Sequence, residues 1–144
     1  MESREELKEY CDKLVETLQP FFNDVEGIAY RFYNEADTIT YTQYKPIEHK
    51  LVGIYTFINT KYKEVTAKAS SCEAVYFGQL KCKSEIDRVK FVAEVAKRES
   101  EEYAKDLNLT SAILESWVNN IRHLLATCRG HFIAESGEKK YGYN

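Results

Sequence analysis

Apolar residues recur at steps of three and four along most of the chain, the spacing that places side chains on one face of an α-helix. One such stretch follows Pro46. Its apolar positions are Ile47, Leu51, Ile54, Tyr55, Ile58, Tyr62, Val65, Ala69, Cys72 and Tyr76. The pattern predicts a helix of about thirty residues, roughly 45 Å long at ~1.5 Å per residue. Because one small core does not cover such a length, we expect a second long helix to lie against it.

The second stretch follows the tripeptide Tyr76-Phe77-Gly78, which we interpret as the hinge of a helical hairpin. Ser84, with Asp87 three residues later, is a predicted N-cap. The apolar positions are then Val89, Val92, Ala96, Tyr103, Leu107, Thr110, Leu114, Trp117, Ile121, Leu124 and Cys128. Gly130 is the predicted C-terminal stop. Together the two stretches predict a long antiparallel helical hairpin over residues 46–129.

Residues 84–129 allow two interpretations. Asn108, Thr110 and Ser111 could cap a fresh helix, which would make two helices of this segment. The three-four spacing nevertheless crosses these residues unbroken, and no glycine or proline intervenes. We favour one long helix, straight or bent.

The N-terminal third has a different pattern. Residues 1–22 are predicted to contain an amphipathic helix with an acidic outer face, which Pro20 should end or bend. Its apolar positions are Leu7, Tyr10, Cys11, Leu14, Val15, Leu18, Phe21 and Phe22. Residues 23–45 form a connector or a hairpin. Residues 28–44 are ambiguous: their period-two alternation allows a small β-hairpin, and a short helix with an extended connector is the competing interpretation.

Composition is consistent with a mainly α, globular protein. The chain has 144 residues, of which 44% are hydrophobic and 30% charged, with only 2 prolines and 6 glycines. We expect a single helical domain over 1–144 that ends in a basic aromatic tail at 130–144. No apolar run reaches the ~18 residues of a membrane span, and the acidic N-terminus does not resemble a signal peptide. We therefore expect a cytoplasmic protein without a membrane partner, whose four cysteines are reduced.

Charge is unevenly distributed. Residues 1–48 carry 5 basic and 11 acidic residues, net −6; residues 49–98 carry 10 and 5, net +5; residues 99–144 carry 5 and 7, net −2. One interpretation is that lysine and arginine side chains near the hinge contact the phosphates of single-stranded DNA while two aromatic rings stack on bases. The residues concerned are Tyr76, Phe77, Lys81, Lys83, Arg88 and Lys90.

Two other interpretations of the same residues stay open. The lysines could form a solvated helix face while Tyr76 and Phe77 close the end of the core. Alternatively, the acidic and basic regions could meet across subunits of a homo-oligomer.

Catalytic motifs are absent from the sequence. It contains no P-loop, no Gly-rich dinucleotide fingerprint, no His-Glu-x-x-His and no nucleophile elbow. His123, Cys128 and His131 form the one cluster of ligand-type side chains, and the second pair that a zinc site requires is missing. We expect no catalytic residue, no bound metal and no cofactor.

Four sequence features follow one another over residues 36–132. They are Tyr-Phe-Gly at 76–78, Lys-Ser-Glu-Ile at 83–86, a long helical stretch with aromatic residues, and Arg-Gly-x-Phe at 129–132. Their order and approximate spacing resemble the phage recombination mediator family of UvsY type.

The resemblance implies an all-helical protein that assembles into a ring-like homo-oligomer and binds single-stranded DNA. Such a protein loads a RecA-like recombinase onto strands coated by a single-strand-binding protein, and it uses no cofactor. The family's basic aromatic segment would correspond to Tyr76, Phe77, Lys81, Lys83, Arg88 and Lys90. Its assembly region would correspond to residues 117–132, with Trp117, Ile121, Leu124 and Leu125 as oligomerisation residues.

The charge distribution also allows a function without DNA. A small phage or host-takeover protein could act as an inhibitor or adaptor by docking its acidic N-terminal helix on a basic protein surface. The acidic residues are Glu5, Glu6, Glu9, Asp12 and Glu16. A third alternative is a structural adaptor that only oligomerises.

Overall fold

The described part of the chain is helical, as the sequence predicts. A computed structural model describes the backbone of residues 1–140 and the side chains of residues 1–130. Its helices are α1 (Arg4–Asn34), α2 (Tyr41–Asp87), α3 (Ala93–Tyr103) and α4 (Lys105–Lys140), with a 3₁₀ turn at Ala36–Thr38. Within these residues there is no strand. The basic aromatic tail predicted at 130–144 lies almost entirely outside the described side chains.

The β-hairpin predicted at 28–44 is wrong. Helix α1 continues through Pro20 and Ile28 to Asn34, and α2 begins at Tyr41. Phe22, Val25 and Ile28 are buried at three-residue steps, so helical spacing extends through the segment that also alternates with period two. Of the two outcomes expected at Pro20, an end or a bend, the end is therefore wrong.

The hinge predicted at Tyr76-Phe77-Gly78 is wrong as well. Helix α2 runs through all three residues and ends about three turns later, at Asp87. A glycine inside a helix costs only ~1 kcal/mol relative to alanine, so it need not end one. A Cβ atom placed at Gly78 would meet nothing within 4 Å, so no close approach of another segment requires glycine here.

Neither interpretation of residues 84–129 is correct in detail. Ser84 lies in the last turn of α2 instead of capping a new helix, and α3 begins at Ala93. The segment is interrupted at Ala104, ahead of the cap candidates Asn108, Thr110 and Ser111. Close to this break, the buried Ser100 hydroxyl donates to the carbonyl of Ala96 at 2.7 Å. Such back-bonding often bends a helix.

The predicted helix stop at Gly130 is wrong, since α4 continues through it to Lys140.

The chain divides into two compact units, and the expectation of a single helical domain stays a prediction. Unit 1 comprises Met1–Thr17 and Lys61–Leu114, and unit 2 comprises Leu18–Thr60 and Glu115–Asn144. The largest fully buried side chains of unit 1 are Leu7, Val65, Leu107 and Leu114, and those of unit 2 include Leu18, Leu51, Ile58, Ile121 and Cys128. Each buried leucine or isoleucine stabilises its unit by about 1.5–3 kcal/mol relative to an exposed one.

Side-chain pairs give the helix directions inside unit 1. Thr66 bonds Ser111 at 2.8 Å, and the Asn108 amide donates to Glu73 at 2.7 Å. Because residue numbers rise on α2 as they fall on α4, these two segments are antiparallel.

Unit 2 shows the same relation between α1 and α2. Phe21 packs on Phe57 at 5.1 Å between ring centroids, and Phe32 packs on Tyr44 at 5.5 Å. Residue numbers rise on α1 as they fall on α2, so these segments are also antiparallel.

Candidate nucleic-acid interface

The C-terminal end of α2 carries an unusual backbone conformation at Arg88. The Val89 N–H donates to the carbonyl of Ser84 at 3.0 Å and the Arg88 N–H to that of Glu85 at 3.4 Å, the two hydrogen bonds of a Schellman motif. The Ser84 hydroxyl also donates to the Val89 carbonyl at 2.6 Å. In this motif the residue after the helix is left-handed and usually glycine, whereas here it is Arg88, with φ 54°.

This helix end positions the four predicted phosphate-binding cations on one short segment. Lys81 and Lys83 lie in the last turns of α2, and Arg88 and Lys90 lie in the link of residues 88–92 that leads to α3. All four are exposed. We call these four residues the basic segment.

None of the basic-segment side chains forms an ion pair with another side chain in the described part of the chain. Six other cations do so, at N–O distances between 3.0 and 3.7 Å: Arg4, Lys13, Arg31, Lys50, Lys61 and Lys68. The charges of the basic segment are therefore available to an external anion. Other exposed lysines, such as Lys8 and Lys63, share this property, so it does not by itself single out a site.

The two predicted stacking residues are partly occupied by other rings. Tyr76 stacks on Tyr103 with ring centroids 4.7 Å apart and an interplanar angle of 16°. Phe77 meets Phe91 edge to face at 5.5 Å. Both residues are half-buried, so each would have to offer a base its remaining exposed surface.

Tyr103 belongs to the packing of unit 1. Its hydroxyl donates to the backbone carbonyl of Glu2, and burial raises the pKa of its phenol above the ordinary value. The ring on which Tyr76 stacks, that of Tyr103, is therefore buried and fixed by a hydrogen bond.

Sequence reasoning missed an apolar groove beside the basic segment. The groove encloses about 330 Å³. Its apolar walls are Leu80, Val89, Phe91, Val92, Val95 and Ala96, and its charged lining residues are Lys83, Asp87, Lys90 and Glu99. We call it the valine groove. The three-residue spacing of Val89, Val92 and Val95 was the available signal, but the sequence alone assigned Val89 and Val92 to a core face.

The four predicted oligomerisation residues all belong to unit 2, and two of them are buried there. Ile121 and Leu125 are buried, and Leu124 is half-buried. Trp117 stacks on Phe22 with ring centroids 4.5 Å apart and an interplanar angle of 7°. These side chains therefore make their contacts within one chain.

The acidic face of α1 is solvent-exposed. Glu5, Glu6, Glu9, Asp12 and Glu16 are all exposed. Glu9 pairs with Lys13 at 3.0 Å, whereas the other four have no ion-pair partner among the described residues. This face offers a second charged surface of opposite sign.

The described residues lack a metal-binding geometry. No group of three or more His, Cys, Asp or Glu side chains there could hold a metal ion. Cys128 is buried, which raises the pKa of its thiol to about 11, and His131 lies outside the described side chains. In the same part of the chain, no helix is long and apolar enough to cross a membrane.

Comparison of the chain with protein-family models, with curated proteins and with solved structures gives no match. The resemblance to UvsY-type mediators therefore depends on the four sequence features over residues 36–132.

Proposed function

We propose that this protein is a non-enzymatic, single-stranded-DNA-binding recombination mediator. It forms a homo-oligomer and helps to load a RecA-like recombinase onto strands coated by a single-strand-binding protein, in the cytoplasm of the host if the chain is phage-encoded. The observation that carries the DNA-binding part is the basic segment. Its four exposed cations lie within ten consecutive residues, and none has an ion-pair partner in the described part of the chain. The recombinase and the single-strand-binding protein are supported only by the family resemblance.

The proposal keeps the long antiparallel hairpin predicted over residues 46–129, with its turn moved to residues 88–92. In such a hairpin the basic segment would lie at the tip. An oligomer would then present several tips to one strand, and their joint attachment would exceed the affinity of each.

The number of phosphate contacts determines how strongly the affinity for single-stranded DNA depends on salt. Each contact with single-stranded DNA contributes about −0.7 to the slope of log K against log salt concentration. Four contacts per chain therefore give a slope of about −3, which corresponds to a loss of roughly 50-fold in affinity between 50 and 200 mM salt. Stacking on the exposed surfaces of Tyr76 and Phe77 would add about 1–3 kcal/mol per base with little sequence preference.

The test is fluorescence anisotropy of a labelled oligo-dT at those two salt concentrations. Three proteins are compared: the wild type, a variant with the basic segment replaced by alanine, and a matched control. The control replaces Lys8, Lys45, Lys63 and Lys105 by alanine, because these lysines are also exposed and lack ion pairs in the described part of the chain. Both variants lose the same charge.

We expect salt-dependent binding by the wild type and the control, and little binding by the basic-segment variant. Equal losses in both variants would mean that net charge, not the basic segment, determines affinity. Absence of binding by the wild type at low salt would refute the proposal.

The exposed acidic face of α1 supports a second candidate function. Four of its carboxylates have no ion-pair partner among residues 1–130, so this face suits docking on a basic protein surface. The chain would then act as an inhibitor or adaptor without DNA. Replacing Glu5, Glu6 and Asp12 by lysine tests this candidate. The change should abolish activity and partner capture if the acidic face is the site, and should leave oligo-dT binding at least as strong if the basic segment is.

A further inference from the structure

The valine groove belongs to an unusually apolar stretch of surface. Ile86, Val89, Val92 and Val95 are 80%, 65%, 48% and 43% exposed, and all four occur within ten consecutive residues. Single exposed apolar residues are ordinary, but a contiguous group beside a groove indicates an interaction surface. All of these residues belong to unit 1.

The charges that line the groove indicate what covers it. Lys83 and Lys90 contribute two positive charges, and Asp87 and Glu99 contribute two negative charges. A strongly acidic or strongly basic partner would meet repulsion from half of them. A surface with both signs in equal number and an apolar centre is instead complementary to itself, as an interface between identical subunits must be when they are related by a two-fold axis.

The competing surface in unit 2 is less exposed than the valine groove. Of the side chains predicted to mediate oligomerisation, Ile121 and Leu125 are buried and Trp117 and Leu124 are half-buried. The exposed valines of unit 1 therefore offer the more accessible apolar surface for self-association.

We propose that the valine groove is a two-fold interface, covered in solution by the same groove of a second copy of this chain. The exposed valines of each copy pack on those of the other, and Lys83 and Lys90 of one copy face Asp87 and Glu99 of the other.

The inference concerns self-association and does not require DNA binding. If both proposals hold, Lys83 and Lys90 face carboxylates inside the pair, which leaves Lys81 and Arg88 of each chain for phosphates. The salt slope per chain of the paired form is then about −1.4 instead of about −3.

Val92 offers a substitution that should break the interface without harming the fold. It is the N-cap of α3, with φ −111° and ψ 105°, and makes no side-chain capping hydrogen bond. Aspartate is among the preferred N-cap residues, so Val92→Asp should keep or improve the stability of α3 while placing a charge in the apolar centre. Val75 supplies the matched control, because it is also 48% exposed and in unit 1 but does not line the groove.

The experiment measures molar mass by light scattering and sedimentation, over a range of concentrations in reducing buffer, for the wild type, Val92→Asp and Val75→Glu. Thermal unfolding followed by circular dichroism verifies that each variant is folded. We expect an even number of copies for the wild type and for Val75→Glu, and half that mass for Val92→Asp.

Three results would overturn the inference. A monomeric wild type at every concentration would mean that the groove awaits a different protein partner. An unchanged mass for Val92→Asp would place the interface elsewhere. Equal dissociation of Val75→Glu would show that any added surface charge has the effect, so that the groove has no special part in it.

Discussion

Replacing Arg88 by glycine should make the protein more stable, although it removes a side chain and increases the conformational entropy of the unfolded chain. The left-handed conformation of Arg88, with φ 54°, costs a non-glycine residue about 1–2 kcal/mol, because its Cβ atom crowds the following carbonyl. Glycine avoids this cost but loses ~0.5–1 kcal/mol through the greater freedom of the unfolded state. The balance favours Arg88→Gly by about 0.5–1 kcal/mol.

The control that isolates the backbone is Arg88→Ala. Alanine removes the guanidinium group as glycine does, yet it keeps the Cβ atom and therefore the strain. We expect Arg88→Ala to lie within ~0.5 kcal/mol of the wild type, as exposed substitutions usually do. The two hydrogen bonds that close the helix, from the N–H groups of Arg88 and Val89, should persist in both variants.

Urea unfolding followed by circular dichroism measures the free energy of unfolding of all three proteins, and a thermal scan should show a gain of about 2–3 °C for the glycine variant. Equal stability of Arg88→Gly and Arg88→Ala would refute the reasoning, because it would mean that residue 88 is not left-handed in solution. Under the proposed function, both variants should also bind oligo-dT more weakly and with a salt slope smaller by about 0.7.

Two further predictions concern unit 2. Trp117→Ala should cost about 2–3 kcal/mol, below the ~3–5 kcal/mol of a fully buried aromatic, because its ring stacks on Phe22 but is only half-buried. Urea unfolding followed by circular dichroism measures the loss, and a cost below ~1 kcal/mol would contradict the stacking. Burial, with a smaller contribution from Glu48, raises the pKa of Cys128 to about 11, whereas an unperturbed thiol ionises near 9.0. The unfolded state therefore releases its proton first, and we expect stability to fall between pH 9 and 11 by about 2–3 kcal/mol more in the wild type than in Cys128→Ala. Parallel pH profiles of the two proteins would contradict a buried Cys128.

Helical periodicity predicted most of the core, since it depends on which side chains leave water. Val65, Leu107 and Ile121 are buried as the three-four spacing predicts. At residues 28–44 both the three-four spacing of a helix and the period-two spacing of a strand fitted the same residues, and the sequence alone favoured neither strongly. In the structure, Ile28 is buried on α1 and Tyr44 is buried on α2.

The turn was harder to predict for a specific physical reason. Gly78 is the kind of residue that usually marks a turn, but it lies inside α2, where its neighbours Tyr76 and Phe77 pack on Tyr103 and Phe91. The actual turn contains neither glycine nor proline and depends on a left-handed arginine, which sequence statistics disfavour. The cations of the candidate site could be identified from sequence, whereas the groove beside them required knowledge of where α2 ends.

The cysteines differ in their exposure, and this difference affects how samples must be handled. Cys11 and Cys128 are buried and Cys72 is half-buried, whereas Cys82 is exposed between two lysines of the basic segment. Air oxidation during storage would join two chains covalently through Cys82. The resulting species would have twice the mass of one chain and would imitate the non-covalent pair. Measuring the mass of Cys82→Ser, or of the wild type in fresh reductant, therefore distinguishes a dimer held by surface complementarity from one held by a Cys82 disulfide.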